Sequence, residues 1–317
     1  MITIAGAGLA GLASAYELAK RGVPVRIFEA ADQIGSASAA RYAGGMLAPW
    51  CEAESADEAV ISLGKTAAQW WAQITKVTRR GTLVVAPPRD SNELRRFADR
   101  TVQHKQCDGS KIAVLEPSLA GRFSCGLHFD QEAHLNPRRA LADLARAVQA
   151  LGVEITLGRP APARVDLNCT GIKAGLTELR PVRGEMAILR APDLQLTRTI
   201  RLLHPRFPLY VVPHGDNHYM VGATMIESNA TRPPTLRSLS ELFAAAYTLH
   251  PGFAEAAVIE TGAGLRPAFP DNLPRLTWEG GTLYFNGLYR HGFLLAPAYA
   301  AQAATQLISE TAHAHLC

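Results

Sequence analysis

Residues 2–11 read Ile2-Thr3-Ile4-Ala5-Gly6-Ala7-Gly8-Leu9-Ala10-Gly11, and residues 25–29 read Val25-Arg26-Ile27-Phe28-Glu29. The first four residues predict a short apolar strand, and the glycines after them a tight turn. Leu12–Arg21 reads as a helix with Leu12, Ala15, Tyr16 and Ala19 on one face, closed by Gly22. Val25–Glu29 is then a second strand, parallel to the first because a helix crosses between them. A G-x-G-x-x-G run set between strand and helix, with an acid ending the second strand, carries a dinucleotide site. Gly6 permits the turn, Gly8 lets the backbone approach a pyrophosphate, and Gly11 lets helix and strand pack closely. The free N–H groups at Leu9 and Ala10 and the positive helix end favour that pyrophosphate. Glu29 is placed to bond ribose hydroxyls, and its charge repels a 2′-phosphate. NAD and FAD share this motif. Its position at the N-terminus, with a second glycine-rich element near the far end, favours FAD.

Outward from this unit, Ser55-Ala56-Asp57-Glu58 has the form of a capping box and predicts a helix to about Val77. Thr82–Val85 reads as a strand, Ser91–Gln103 as a helix and Lys111–Leu115 as a strand. Asn136-Pro137 starts a helix that runs to Leu151, and strands follow at Val153–Leu157 and Val165–Asn168. Between Pro181 and Gly222 the pattern becomes antiparallel: Met186–Leu189, Leu209–Val212 and Tyr219–Val221, with a turn at residues 214–217. Thr235 caps a helix to about Tyr247, Ile259–Leu265 and Leu283–Phe285 are strands, and Leu294–Glu310 is a last helix. The expected fold class is α/β: a Rossmann-like FAD-binding domain (1–80, 130–175 and 264–317) interleaved with a substrate domain on an antiparallel sheet (81–129 and 176–263).

The 317 residues are 48% hydrophobic and 19% charged, a globular composition that excludes disorder. A net charge of +4 is far short of a nucleic-acid footprint. No signal peptide precedes the first strand, and no run of about 18 apolar residues suggests a membrane span, so the expected location is cytoplasmic. Five scattered cysteines without a C-x-x-C pair suggest neither disulfides nor a metal site.

Further motifs give the chain a recognisable outline. They are Ala43-Gly44-Gly45-Met46-Leu47-Ala48-Pro49 with Glu52, Val221-Gly222-Ala223-Thr224, Gly264-Leu265-Arg266-Pro267 with Asp271 and Pro274, and Leu288-Tyr289-Arg290-His291-Gly292-Phe293-Leu294-Leu295-Ala296-Pro297. In order and spacing the whole resembles the D-amino-acid oxidase superfamily of flavoproteins, and within it the glycine oxidases of thiamine biosynthesis. The resemblance implies noncovalent FAD and a small amino acid oxidised at its amine. Glycine would give an imine, then glyoxylate and ammonia, with O2 reduced to H2O2. It also implies a homo-oligomer and a hand-off of the imine to a thiazole synthase.

Residue by residue, the resemblance places the substrate carboxylate on Arg266 and Tyr210, with Arg290 beside flavin and substrate. An arginine gives a carboxylate a planar, always-charged fork, and a phenol adds a donor without a second charge. Met46 and Met225 line the substrate pocket, and Ala48 beside them suits a small substrate. The cofactor residues further include Arg41, Ala43, Gly44, Gly45, Thr170, Gly171, Arg266, Arg290, His291, Gly292, Phe293 and Leu294, the last of these opening a helix aimed at the flavin. His204, His214, His218 and His291 read as structural or surface residues, not proton shuttles. One departure stands out: only Gly158–Arg164 joins two sheet strands, leaving the adenine contacts open. Sarcosine, D-amino acids, larger secondary amines, an acceptor other than oxygen, and a non-catalytic flavin-binding role remain open alternatives.

Overall fold

In a computed structural model, which describes residues 1–203 and 209–314, the strands of the described residues form two large sheets and a small one. The first is built on the opening motif. Ile2–Ala5 pairs in parallel with Val25–Phe28 on one side and Leu167–Asn168 on the other. Glu154–Thr156 and Thr282–Asn286 extend it in parallel, and Arg275–Glu279 closes one edge antiparallel. Helices Leu9–Lys20, Pro137–Ala150 and Gly292–Ala314 cover it. Their buried Leu12, Leu18, Leu144, Val148, Ala300 and Leu307 share one core with Ile4 and Ile27. Asn136 caps the middle helix by accepting from the N–H groups of Arg138 and Arg139.

The second sheet has nine strands among the described residues. Its long members, Arg180–Arg190 and Ala257–Ala268, pair antiparallel along their length. The hairpin Leu209–Gly215/His218–Gly222 turns through Asp216 and Asn217 at φ 49° and 57°, positions that favour residues able to adopt the left-handed region. Thr199–Leu202 continues the sheet toward Thr82–Val85. Helix Leu236–Leu249, capped by Thr235, buries Leu242, Ala245 and Leu249 against it. A small sheet joins Met46–Leu47, Ala133–Leu135 and Val77–Thr78. No helix of the described residues is long and apolar enough to cross a membrane.

Several expectations are corrected. Lys111–Leu115 is not a strand; Gly109–Leu115 is a helix, begun by Asp108 accepting from the Lys111 N–H and leaving Val114 exposed. The Ser55 capping box does not form. Asp57 is the cap, and the long helix is two short ones, Glu58–Gly64 and Ala67–Ala72, before strand Val77–Thr78. The next helix, Ser91–Arg100, stops short of Gln103. The cut placed at 264 falls inside strand Ala257–Ala268.

Candidate active site

A cavity of about 370 Å³ opens where four parallel strands end, walled by the residues just after Ile2–Ala5, Val25–Phe28, Leu167–Asn168 and Thr282–Asn286. Carboxyl ends of parallel strands are where such sheets bind ligands. Gly6 sits at φ +96°, and a Cβ on it would lie 2.8 Å from the Cys169 carbonyl oxygen. Gly8 begins the helix with no side chain, and its carbonyl accepts from the Leu12 N–H at 3.0 Å. The first-turn N–H groups, at Leu9 and Ala10 among them, therefore have no partner within the helix. Gly11 does not line the cavity. A Cβ there would sit 1.9 Å from the Gly6 carbonyl oxygen, so its place is the contact of helix and turn. The Glu29 carboxylate accepts from the Ala7 N–H at 2.8 Å and the Ala31 N–H at 3.0 Å, which fixes it at the wall. Thr170 and Gly171 line the opposite strand end, where Asn286 Nδ2 donates to the Gly171 carbonyl at 2.8 Å. This backbone cradle, with no Cβ where a pyrophosphate would approach, fits a dinucleotide.

Arg41 is not brought to this cavity. It lines a separate hollow of about 230 Å³ beside Arg138 and Leu141. Pro160, Ala161 and Lys173 do line the main cavity, so the shortened loop after Gly158 still reaches it.

Farther along the wall stand Ala43, Gly44, Gly45, Met46 and Ala48. Gly45, at φ +75°, passes so close to Leu135 that a Cβ would lie 2.2 Å from its carbonyl oxygen. At Gly44 a Cβ would lie 2.7 Å from the ring of Tyr210, which the glycine lets in. Tyr210 stands in strand Leu209–Gly215, directly opposite Arg201 and Gly222. Burial pushes its phenol above the ordinary value, so it stays a protonated donor. Its hydroxyl has no hydrogen-bond partner among the described residues.

Arg266 comes from strand Ala257–Ala268, opposite Val182. Its guanidinium lies over Gly184, where a Cβ would be 2.0 Å from Nη2. Nη1 donates to the Thr224 carbonyl at 2.9 Å, and among the described residues no carboxylate comes within ion-pair distance. Burial lowers its pKa from the ordinary value, but a guanidinium remains charged at any physiological pH. It is a half-buried cation beside a phenol donor, with no counter-ion among the described residues. Met225, 44% exposed, is held at the rim by the Tyr289 hydroxyl, which donates to its sulfur at 3.7 Å. Tyr289 adopts φ 44°, a left-handed conformation that an aromatic residue takes at a cost.

Arg290 is paired. Its Nη2 donates to Glu52 Oε2 at 3.3 Å, and His291 Nδ1 lies 3.5 Å from the same oxygen. Arg201 Nη1 lies 3.5 Å from Glu52 Oε1. Burial alone would raise the Glu52 carboxyl, but Arg290, His291 and Arg201 outweigh it and hold it at about 2. Burial keeps His291 below its ordinary value. The last helix begins at Gly292, and Leu295 N–H donates to the His291 carbonyl, so Gly292, Phe293 and Leu294 present the first-turn N–H groups at the cavity wall. Trp71 Nε1 anchors this turn by donating to the Phe293 carbonyl at 2.8 Å.

Sequence reasoning gave no site role to Glu52, Arg201, Tyr289, Asn286, Pro160, Ala161 or Lys173. A lone arginine in the fully buried strand Thr199–Leu202 was the one available signal for Arg201. His214 is half-buried and pushed down to about 4 by desolvation, and His218 bonds in the hairpin turn through Asp216; neither lines the cavity. His204 lies outside the described residues.

The family model described as FAD dependent oxidoreductase, DAO, matches residues 1–307. The chain belongs to this family. This FAD-dependent oxidoreductase is 54% identical over 317 residues to the Rhizobium etli protein named "Putative thiamine biosynthesis oxidoreductase ThiO", covering 98% of this chain and 97% of that one. It is 28% identical to the Trichormus variabilis "Bifunctional protein ThiO/ThiG", covering 98% of this chain and 53% of that protein. Its fold is that of the crystal structure of glycine oxidase from Geobacillus kaustophilus, at TM-score 0.82, 23% identity, and coverage of 98% and 94%. The enzyme thus uses FAD, and the cradle described above is where its residues fit that group.

Proposed function

We propose that this oxidoreductase oxidises the amine of glycine, or of a comparably small amino acid. The observation that carries the reading is Arg266, a half-buried guanidinium with no counter-ion among the described residues, facing the same cavity as Tyr210, whose phenol has no partner among them. A substrate carboxylate supplies the missing charge: Arg266 grips it and Tyr210 donates one further hydrogen bond. FAD supplies the two-electron acceptor when bound, held through the glycine turn Gly6–Gly11, Glu29, Thr170, Gly171 and the helix start at Gly292–Leu294. The protein's own part is to hold the carboxylate so that the α-carbon is fixed in one place. Met46, Ala48 and Met225 limit the room for a side chain. No strong base is needed, since the amine's lone pair drives the loss of the α-hydrogen with its electron pair. The imine then takes up water. The balance is glycine, O2 and water to glyoxylate, ammonia and H2O2.

The names of the relatives support glycine and a place in thiamine biosynthesis. The Trichormus fusion supports a second enzyme, which we read as a thiazole synthase, taking the imine from this one in the cytoplasm. A homo-oligomer and the interleaved cofactor and substrate domains belong to the same proposal. Peroxide release across a panel of amines tests it: glycine and sarcosine are expected to react best. Reaction with bulky D-amino acids alone overturns the glycine assignment.

A further inference from the structure

Three arginines line the substrate end of the cavity among the described residues: Arg201, Arg266 and Arg290. Two of them are already matched. Glu52, 6% exposed, turns Oε2 to Arg290 at 3.3 Å and Oε1 to Arg201 at 3.5 Å. Glu54 adds a second carboxylate 3.5 Å from Arg201 Nη2. Arg201 and Arg290 therefore both have a carboxylate, Glu54 being shared with the exposed Arg100 at 3.6 Å, and of the three cavity arginines Arg266 alone has none among the described residues. The remaining charged wall residues, Glu29 and Lys173, follow strands of the parallel sheet at the dinucleotide cradle. Burial holds His291 below its ordinary pKa, so it adds little positive charge near neutral pH.

We infer that Glu52 sets the charge capacity of the substrate site, so that it accepts an amine bearing one carboxylate and discriminates against an amine bearing two. The inference rests on the proposed binding of the substrate carboxylate at Arg266. A second carboxylate would shed its water in a wall whose other two cations are already neutralised, gaining no counter-ion in return. It would also meet the Glu52 charge, a repulsive element of the kind that separates close competitors. Arg201 is part of the device, because its charge decides how much of Glu52 is left over. Its place opposite Tyr210 on a neighbouring strand puts both on one face of the sheet.

Two anions that cannot be oxidised, acetate and malonate, test this on the FAD-loaded enzyme, with binding read from the change in flavin absorption. The unaltered enzyme is expected to bind acetate more tightly than malonate. Glu52→Gln frees Arg290 and part of Arg201, and is expected to shift the ratio of dissociation constants toward malonate by about tenfold or more. In the double variant Glu52→Gln/Arg201→Gln one free cation is gone, and the ratio is expected to return toward the starting value. Arg201→Gln alone takes away one of the cations that offset Glu52 and is expected to move the ratio further against malonate; it carries the test if Glu52→Gln does not retain flavin. An unchanged ratio in the single variants overturns the inference. The underlying reading fails separately, if Arg266→Ala leaves acetate binding unaltered.

Discussion

Replacing Gly184 by alanine places a methyl group 2.0 Å from Arg266 Nη2 and 2.2 Å from Cζ. Both atoms belong to the far end of a long side chain, so the guanidinium gives way and the sheet keeps its pairing. The displaced guanidinium loses its Thr224 carbonyl contact at 2.9 Å and its alignment with Tyr210. Removing a buried charged partner costs about 2–5 kcal/mol. A displaced but present guanidinium should forfeit the lower end, about 2 kcal/mol, or roughly thirtyfold in glycine affinity. The assay is an anaerobic titration of the oxidised holoenzyme with glycine, reading the half-saturating concentration and the rate at saturation separately. Gly184→Ala is expected to raise the former while flavin content and Tm stay close to the starting protein. Arg266→Ala should raise it further. If Gly184→Ala binds glycine as the starting protein does, the guanidinium over Gly184 is not the carboxylate site.

Gly11→Ala meets a backbone atom instead, 1.9 Å from the Gly6 carbonyl oxygen, so the turn itself must move. It is expected to cost about 1–3 kcal/mol, seen as a lower Tm, and to weaken FAD retention on gel filtration. Glu29→Gln leaves only one oxygen for the two N–H donors of Ala7 and Ala31. FAD affinity should fall about tenfold in a reconstitution titration, with activity recovered at saturating FAD. Glu132 is buried, its Oε1 accepts from the Cys51 N–H at 2.7 Å, and burial raises its pKa from 4.5 to about 7. Between those values the folded state keeps a proton that the unfolded state has lost, so stability falls as pH rises, by about 3 kcal/mol in all. Glu132→Gln should flatten that part of the profile of Tm against pH; an unchanged slope refutes it.

The dinucleotide half was readable because its signals are local. Gly6 and Gly11 are backbone requirements that a side chain would violate on the spot, and Asn136-Pro137 caps a helix by itself. The segment Lys111–Leu115 misled because apolar β-formers outweighed a cap at Asp108, outside the segment. The helix after Ser55 misled likewise: a box of the right spacing lost to Asp57, two residues on. Arg266, Arg290 and Tyr210, which their motifs single out, line the cavity. Glu52 was quoted without a role, and Arg201 was missed, because their pairing joins residues about 150 positions apart in the sequence. Such a network shows only when the fold sets Arg201 of Thr199–Leu202 and Arg290, just before the last helix, against the same Glu52 carboxylate.

In the proposed function, a glycine carboxylate held by Arg266 presents its α-carbon for two-electron oxidation. Adding glycine to the FAD-loaded protein without oxygen tests it most directly. The flavin absorption is expected to bleach fully with the starting protein, and at much higher glycine, or not at all, with Arg266→Ala. A flavin that stays oxidised in the starting protein at high glycine would rule out glycine as the substrate, and equal bleaching of both proteins at the same glycine concentration would rule out Arg266 as the carboxylate site.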